Sequence, residues 1–402
     1  MTFFGKSQVQ SRSGIGAMVG PFGELLTESR SPSIKVQFQY PQVNTDFDLN
    51  DPIVTGDGSV TAGDGLLVLA SAVGTSYVQS KASVRYRPGQ SGYARFTASF
   101  DGEGVGEIGL LDDDSGFGIR CEDGNASLFY RRDGADTFIQ PKFGNKINGR
   151  FDGGTIDVGD IDWTKINIFG IDFGYLGVAS PVFWIKRGEW QVLGTIETEG
   201  VLTSTHINNP VLPISAHTSG GMTLKTASWA AGVMGDGSPV GARYFPAVVT
   251  ATLSGTDVAT LGTFRNKTTY QTLTNKVQTK AIRYSLHVDA PASGSGTVEF
   301  RIIKNATLAG VPAWSDIDTA NSVIEVDGTA TYDSDGHVLI YDWIGYASGT
   351  GGAAKIAGDA DLDVAEIGLF LYPGETATIT AQNVSGSQNV TCRVAFNWIE
   401  LF

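Results

Sequence analysis

The chain has 402 residues, too many for one small sandwich, so length predicts two or three domains, each burying its own core. A net charge of −14 argues against sequence-independent binding to nucleic acid, which needs clustered Lys and Arg; the local basic pair Arg131-Arg132 is followed at once by Asp133. Charged residues are only 17% and Gly numbers 52, but 41% hydrophobic with 10% aromatic supplies enough apolar surface to pack, which excludes a disordered chain.

Residues 1–45 open with Gly14, Gly16, Gly20 and Gly23 among weakly apolar residues, then run through an extended stretch bounded by Pro32 and Pro41. Such a segment builds no core alone and reads as an N-terminal attachment arm. Residues 46–235 hold the densest strand signals. Phe96, Ala98 and Phe100 alternate with polar residues, EIGLL precedes Asp112-Asp113-Asp114, and PVFWIKRGEWQVLGTI predicts a hairpin turning at Arg187-Gly188. One helical turn is expected at Asp162-Trp163-Thr164-Lys165, with Asp162 as its N-cap.

Residues 236–249 combine Gly, Pro and a turn pair without periodicity and read as a linker. Residues 250–402 predict a second β domain. Period two is clear at Tyr284/Leu286/Val288, at Val298/Phe300/Ile302, and at Cys392/Val394/Phe396/Trp398 with Arg393 and Asn397 on the opposite face. A short helix is expected around Asp361 to Ile367. Nine Asp-Gly pairs, from Asp57-Gly58 to Asp335-Gly336, separate these runs and predict tight antiparallel turns. The fold class expected is all-β: an extended arm followed by two β-sandwich domains of lectin-like or jelly-roll type.

Cys121 and Cys392 lie on strands whose alternation points both inward, and two unpaired core thiols are expected. The start MTFFGKSQVQSRSG lacks a secretory signal, and the longest apolar run, Leu66 to Val73, is of strand length. Synthesis in a cytoplasm without membrane insertion is the expectation.

Candidate chemistry is sparse. Asp112-Asp113-Asp114 and Asp333-Ser334-Asp335-Gly336 read as turns rather than calcium loops, since consecutive strand residues point to opposite faces and the second run lacks a closing Glu. His206 and His217 flank Pro210 and Pro213 and would need further ligands to hold zinc, and His287 falls on the outward face of its strand. GxSxG is absent, as is the E-x-D-x-x-E of laminarinase-like sandwich hydrolases. No catalytic residue, metal site or cofactor is expected.

Aromatics offer the apolar ring face that a pyranose stacks on. Trp184 and Trp190 are expected to face each other across the 187–188 hairpin. Tyr341, Trp343 and Tyr346 cluster beside the Gly349 to Gly352 loop and are the candidates for ligand contact.

Several phrases resemble virion structural proteins of tailed double-stranded DNA bacteriophages: KASVRYRPGQSGYARFTASF (81–100), DWTKINIFGIDFGYLGVASPVFWI (162–185), HINNPVLPISAH with SGGMTL (206–224), VGPFGEL (19–25), and LYPGETATITAQ leading to VAFNWIELF (371–402). The resemblance implies a fibre, spike, or tail- or head-associated protein, commonly trimeric. The expected function is an external, non-enzymatic virion part that joins other virion proteins through residues 1–45, forms a homotrimer, and contacts host-surface glycan. The alternatives are a capsid decoration or minor capsid protein with no receptor role, a carbohydrate-binding module, and, weakest, a glycan depolymerase.

Overall fold

The computed structural model describes residues 30–86, 90–139, 149–174, 177–234, 243–289, 291, 293–347, 358–363, 369–385 and 389–402. The chain is all-β and divides into two compact units, Met1–Ser238 and Pro239–Phe402. Among the described residues there is no α-helix.

The N-terminal unit is a sandwich of two antiparallel sheets. One sheet runs in the order Glu189–Thr195, Val182–Arg187, Asn167–Phe173, Gly92–Asp101, Thr223–Thr226, Leu66–Ala70 and Ser59–Gly63, with Ser228–Met234 also paired to Gly92–Asp101. The facing sheet runs Ala135–Ile139, Asn125–Arg132, Ser115–Glu122, Val105–Leu111, Ile214–Ser219, Thr75–Gln79 and Ile53–Thr55. Alternation decides what goes inside: Phe96, Ala98 and Phe100 are buried, as are Phe117, Phe169, Phe173, Phe183 and Trp229.

Two boundaries differ from the sequence reading. Arg30–Gln37, expected in the arm, is a strand paired antiparallel with Ser228–Met234, and it buries Ile34, Val36 and Phe38 in the core. Phe38 meets Trp229 edge-on at 5.3 Å. Pro32 does not break this strand, because the register shifts between Pro32 and Ile34, and a bulge is where a residue without an N–H is tolerated. Residues 1–29 of the expected arm lie outside the described residues. The strand Arg243–Leu253 begins inside the expected linker 236–249; its Pro246 sits on an edge strand, where a missing donor costs no ladder bond.

The expected helices also resolve differently. Asp162 to Lys165 is one turn, closed by the Lys165 N–H on the Asp162 carbonyl at 3.2 Å, with the Asp162 carboxylate taking the Thr164 N–H at 3.1 Å. At the second site Gly358–Asp363 is a strand, and 364–367 lie outside the described residues.

Asp-Gly works in two ways. At Asp64-Gly65, Asp123-Gly124, Asp133-Gly134 and Asp335-Gly336 both residues have positive φ, the demand of a type I′ hairpin turn. Asp57 and Asp327 instead gather loop donors on their carboxylates: Asp57 takes the N–H groups of Ala72, Val73 and Gly74, and Asp327 those of Ala313, Thr329 and Ala330.

The C-terminal unit is a second sandwich. One sheet runs Arg243–Leu253, Val390–Leu401, Gln278–Asp289 and Gly358–Asp363; the other runs Ser315–Asp316, Ile324–Asp327, Val258–Asn266, Thr376–Asn383, Ser295–Lys304 and His337–Ala347. Numbering its eight main strands along the chain, the first sheet holds the first, eighth, third and sixth, and the second holds the second, seventh, fourth and fifth. This is the interleaved order of a jelly roll. Phe264, Phe396 and Trp398 stack within its core. Buried Glu400 is held by the Ser322 hydroxyl at 2.5 Å, the Val323 N–H at 3.0 Å and the Trp398 indole N–H at 3.1 Å. His337–Ala347 ends the second sheet as its edge strand and carries the candidate aromatics.

Candidate functional site

Period two sorts the three candidates. On the edge strand Ile340, Ile344 and Tyr346 point into the sandwich, while Tyr341 and Trp343 point outward and are 50% and 57% exposed. Tyr346 is therefore a core residue: its ring is buried and its hydroxyl accepts the Asn383 side-chain N–H at 2.9 Å. Its separation from Trp343 is odd, and an odd separation changes the face. The Gly349 to Gly352 loop lies outside the described residues.

Tyr341 and Trp343 are two rungs of one face, and their rings lie nearly parallel, with centroids 6.0 Å apart and planes at 16°. The neighbouring strand, Ser295–Lys304, sets Arg301 opposite Tyr341 and Glu299 opposite Trp343. The Arg301 guanidinium sits 5.2 Å from the Tyr341 ring centroid and donates to Glu299 Oε1 at 2.5 Å. Each ring thus has a charged, hydrogen-bonding group beside it, and the two charges cancel locally. Asp342, between the rings in sequence, is on the inner side; its Oδ1 accepts the Trp343 N–H at 2.8 Å, and its charge adds to burial in pushing the Tyr284 hydroxyl up to about 12. Next along the same two strands is a shallow depression of about 500 Å³, lined by Ser295, Gly296, Thr297, Gly345, Tyr346, Ala347 and Ser385.

The other aromatic pair has a different fate. Trp184 pairs across the hairpin with Val192, and Trp190 with Lys186, so the two rings are one rung apart rather than opposed. The Arg95 guanidinium covers Trp190 at 4.8 Å and is ion-paired with buried Asp172 at 2.8 Å. This is a packed polar cluster rather than a free platform.

The facing sheet of the N-terminal unit carries a network that the sequence does not announce. Arg131 contacts Glu107 at 3.1 Å and Asp136 at 2.7 Å, and Arg120 contacts Glu107 at 3.3 Å and Asp136 at 3.7 Å. Burial opposes the Arg131 charge, but Asp136 and Glu107 outweigh it and its pKa is raised. Glu122 also contacts Arg120, at 3.5 Å, so two arginines face three carboxylates and no positive charge is left for a ligand.

His206 and His217 do not meet. His206 is fully buried beside Phe117, with a ring nitrogen 2.8 Å from the Gly177 carbonyl, whereas His217 pairs with Glu107 and Tyr77 across the sheet. Burial lowers both pKa values. His287 stands half-buried against Asp289 at 2.9 Å. Cys121 and Cys392 are free buried thiols, and burial pushes them up to about 11 and about 12. Asp112 closes its turn by accepting the N–H groups of Asp114 and Ser115. Among the described residues no group of three or more His, Cys, Asp or Glu is arranged to hold a metal, and no helix is long and apolar enough to cross a membrane.

No family model matches the chain, and no curated protein sequence matches it. Solved structures similar to it include lectin I-B4 from Griffonia simplicifolia in metal-free form, at 13% identity over 50% of this chain and 99% of the lectin, with a TM-score of 0.29. A legume lectin-like domain from Entamoeba histolytica matches at 12% identity over 47% of this chain and 98% of that one, with a TM-score of 0.27. The binding domain of botulinum neurotoxin serotype C1 matches at 11% identity over 50% of this chain, which spans about half (48%) of that domain, with a TM-score of 0.32. Identities and scores this low carry no argument about ligand or site; the fold rests on the sheets themselves.

Proposed function

We propose that this chain is a non-enzymatic carbohydrate-binding protein whose recognition face is the outer side of the Ser295–Lys304 and His337–Ala347 strands. The observation that carries the reading is the exposed, nearly parallel Tyr341 and Trp343 pair with Arg301 and Glu299 beside it. Parallel rings leave apolar faces for sugar C–H groups, while the guanidinium and carboxylate take hydroxyls.

The setting proposed for this activity comes from the resemblance in sequence: an external fibre or spike of a tailed-phage particle, assembled as a homotrimer and joined to other virion proteins through its N-terminal segment. The sugar is then a host-surface glycan, and the protein is made in the host cytoplasm for incorporation into the virion.

Covering one face of Trp343 removes on the order of 80 Å² of apolar surface from water, worth about 2 kcal/mol and so about 30-fold in affinity. Affinity electrophoresis of the full chain through gels containing host-surface polysaccharides tests this. Trp343→Ala should weaken retardation by about that factor with an unchanged far-ultraviolet spectrum. Wild type running unretarded in every gel would leave a particle part without a receptor role, and shortened polysaccharide after incubation would make it a depolymerase.

A further inference from the structure

The outward face does not end at Trp343. Continuing along the two strands, Thr297 stands opposite Gly345 and Ser295 opposite Ala347. Gly345 contributes no side chain, and a Cβ there meets no atom within 4 Å, so the strand leaves open space immediately after the indole. A shallow depression of about 500 Å³ lies here, and Ser295, Thr297 and Ser385 are among the residues that line it. Trp343 and Ala347 are four residues apart on one strand, which at ~3.3 Å per residue is about 13 Å. That span exceeds a single pyranose ring.

Charge narrows the ligand further. Arg301 and Glu299 neutralise one another, none of the described residues lining the depression is charged, and the whole chain carries −14. Among the described residues of this strip, a polyanion meets repulsion without a net positive charge to hold it. Resting on the carbohydrate reading above, we infer that the ligand is an uncharged linear polysaccharide, bound over several consecutive sugar rings, with one ring on the Tyr341/Trp343 pair and later rings in the shallow depression.

Isothermal titration of the full chain with neutral gluco-, manno- and galacto-oligosaccharides, each from disaccharide to hexasaccharide, tests the inference, with oligogalacturonides as the charged comparison. For the series that binds, affinity should rise at least tenfold from disaccharide to hexasaccharide and change less than twofold between 50 and 500 mM NaCl. Gly345→Leu fills the start of the depression and, since a Cβ there meets open space, leaves the strand intact. It should reduce hexasaccharide affinity at least tenfold and abolish the rise of affinity with chain length, with an unchanged far-ultraviolet spectrum. Affinity that ignores chain length, an unaffected Gly345→Leu variant, or tighter binding of oligogalacturonides would overturn the extended neutral ligand while leaving sugar binding in place. Absence of binding to every oligosaccharide, charged or neutral, would overturn both.

Discussion

Replacing Lys304 with methionine breaks an ion pair that the C-terminal unit keeps almost wholly out of water. Lys304 Nζ lies 2.7 Å from Glu375 Oε2, and the two side chains are 6% and 9% exposed. After the substitution the Glu375 carboxylate retains the Tyr372 N–H at 3.0 Å but loses the Lys304 ammonium. Removing one partner of a buried ion pair costs about 3–5 kcal/mol. The expected loss is therefore about 3–5 kcal/mol. Adding Glu375→Leu should recover most of it, since apolar replacement of a buried pair is close to neutral.

Cys392 makes the measurement specific to this unit. It is the unit's one cysteine, buried and with a thiol pushed up to about 12, so pulsed alkylation along a urea gradient labels it only as this sandwich opens. Peptide mass separates it from Cys121 in the other unit. A loss below 1 kcal/mol at pH 7, or one that the added Glu375→Leu does not reduce, would refute the reasoning.

Removing residues 1–29 should leave the N-terminal unit folded, whereas removal through residue 38 strips Ile34, Val36 and Phe38 from its core. At about 1.5–3 kcal/mol for each buried side chain the longer deletion costs about 5–9 kcal/mol, visible as Cys121 labelling without denaturant. Burial lowers the His206 pKa despite the Gly177 carbonyl, so between its ordinary and its folded value the unfolded chain holds a proton that the folded chain does not. Stability should fall as pH drops from 7 to 5.5, read by urea midpoints, and His206→Gln should flatten that slope. His217, lowered by burial, has the same sign, so the variant keeps part of the slope; a native midpoint that rises on acidification would contradict this.

How much of this was legible in the sequence depends on how local the signal is. Cys392, Val394, Phe396 and Trp398 announce a half-buried strand by period alone, and the structure buries all four. Ile34, Val36 and Phe38 carry the same period, but Pro32 and Pro41 on either side read as breakers, and nothing nearby shows that Ser228–Met234 waits to pair with them. Tyr346 was separable from Tyr341 and Trp343 by parity, a signal present in the sequence and outweighed by simple proximity. The Glu107, Arg120, Arg131 and Asp136 network joins four strands, and the stacking of Arg95 on Trp190 joins residues 95 positions apart; no local pattern encodes such meetings. The open stretch beyond Trp343 depends on Gly345 lying opposite Thr297, a register set by the whole strand pair rather than by either residue.

The most direct test of carbohydrate recognition mixes the intact chain with purified host-surface polysaccharide and follows two quantities in one tube: bound protein by sedimentation, and reducing ends over time. Saturable binding with a flat reducing-end count is the predicted result. Failure to sediment with polysaccharide from any susceptible host, or a steady rise in reducing ends, would contradict it.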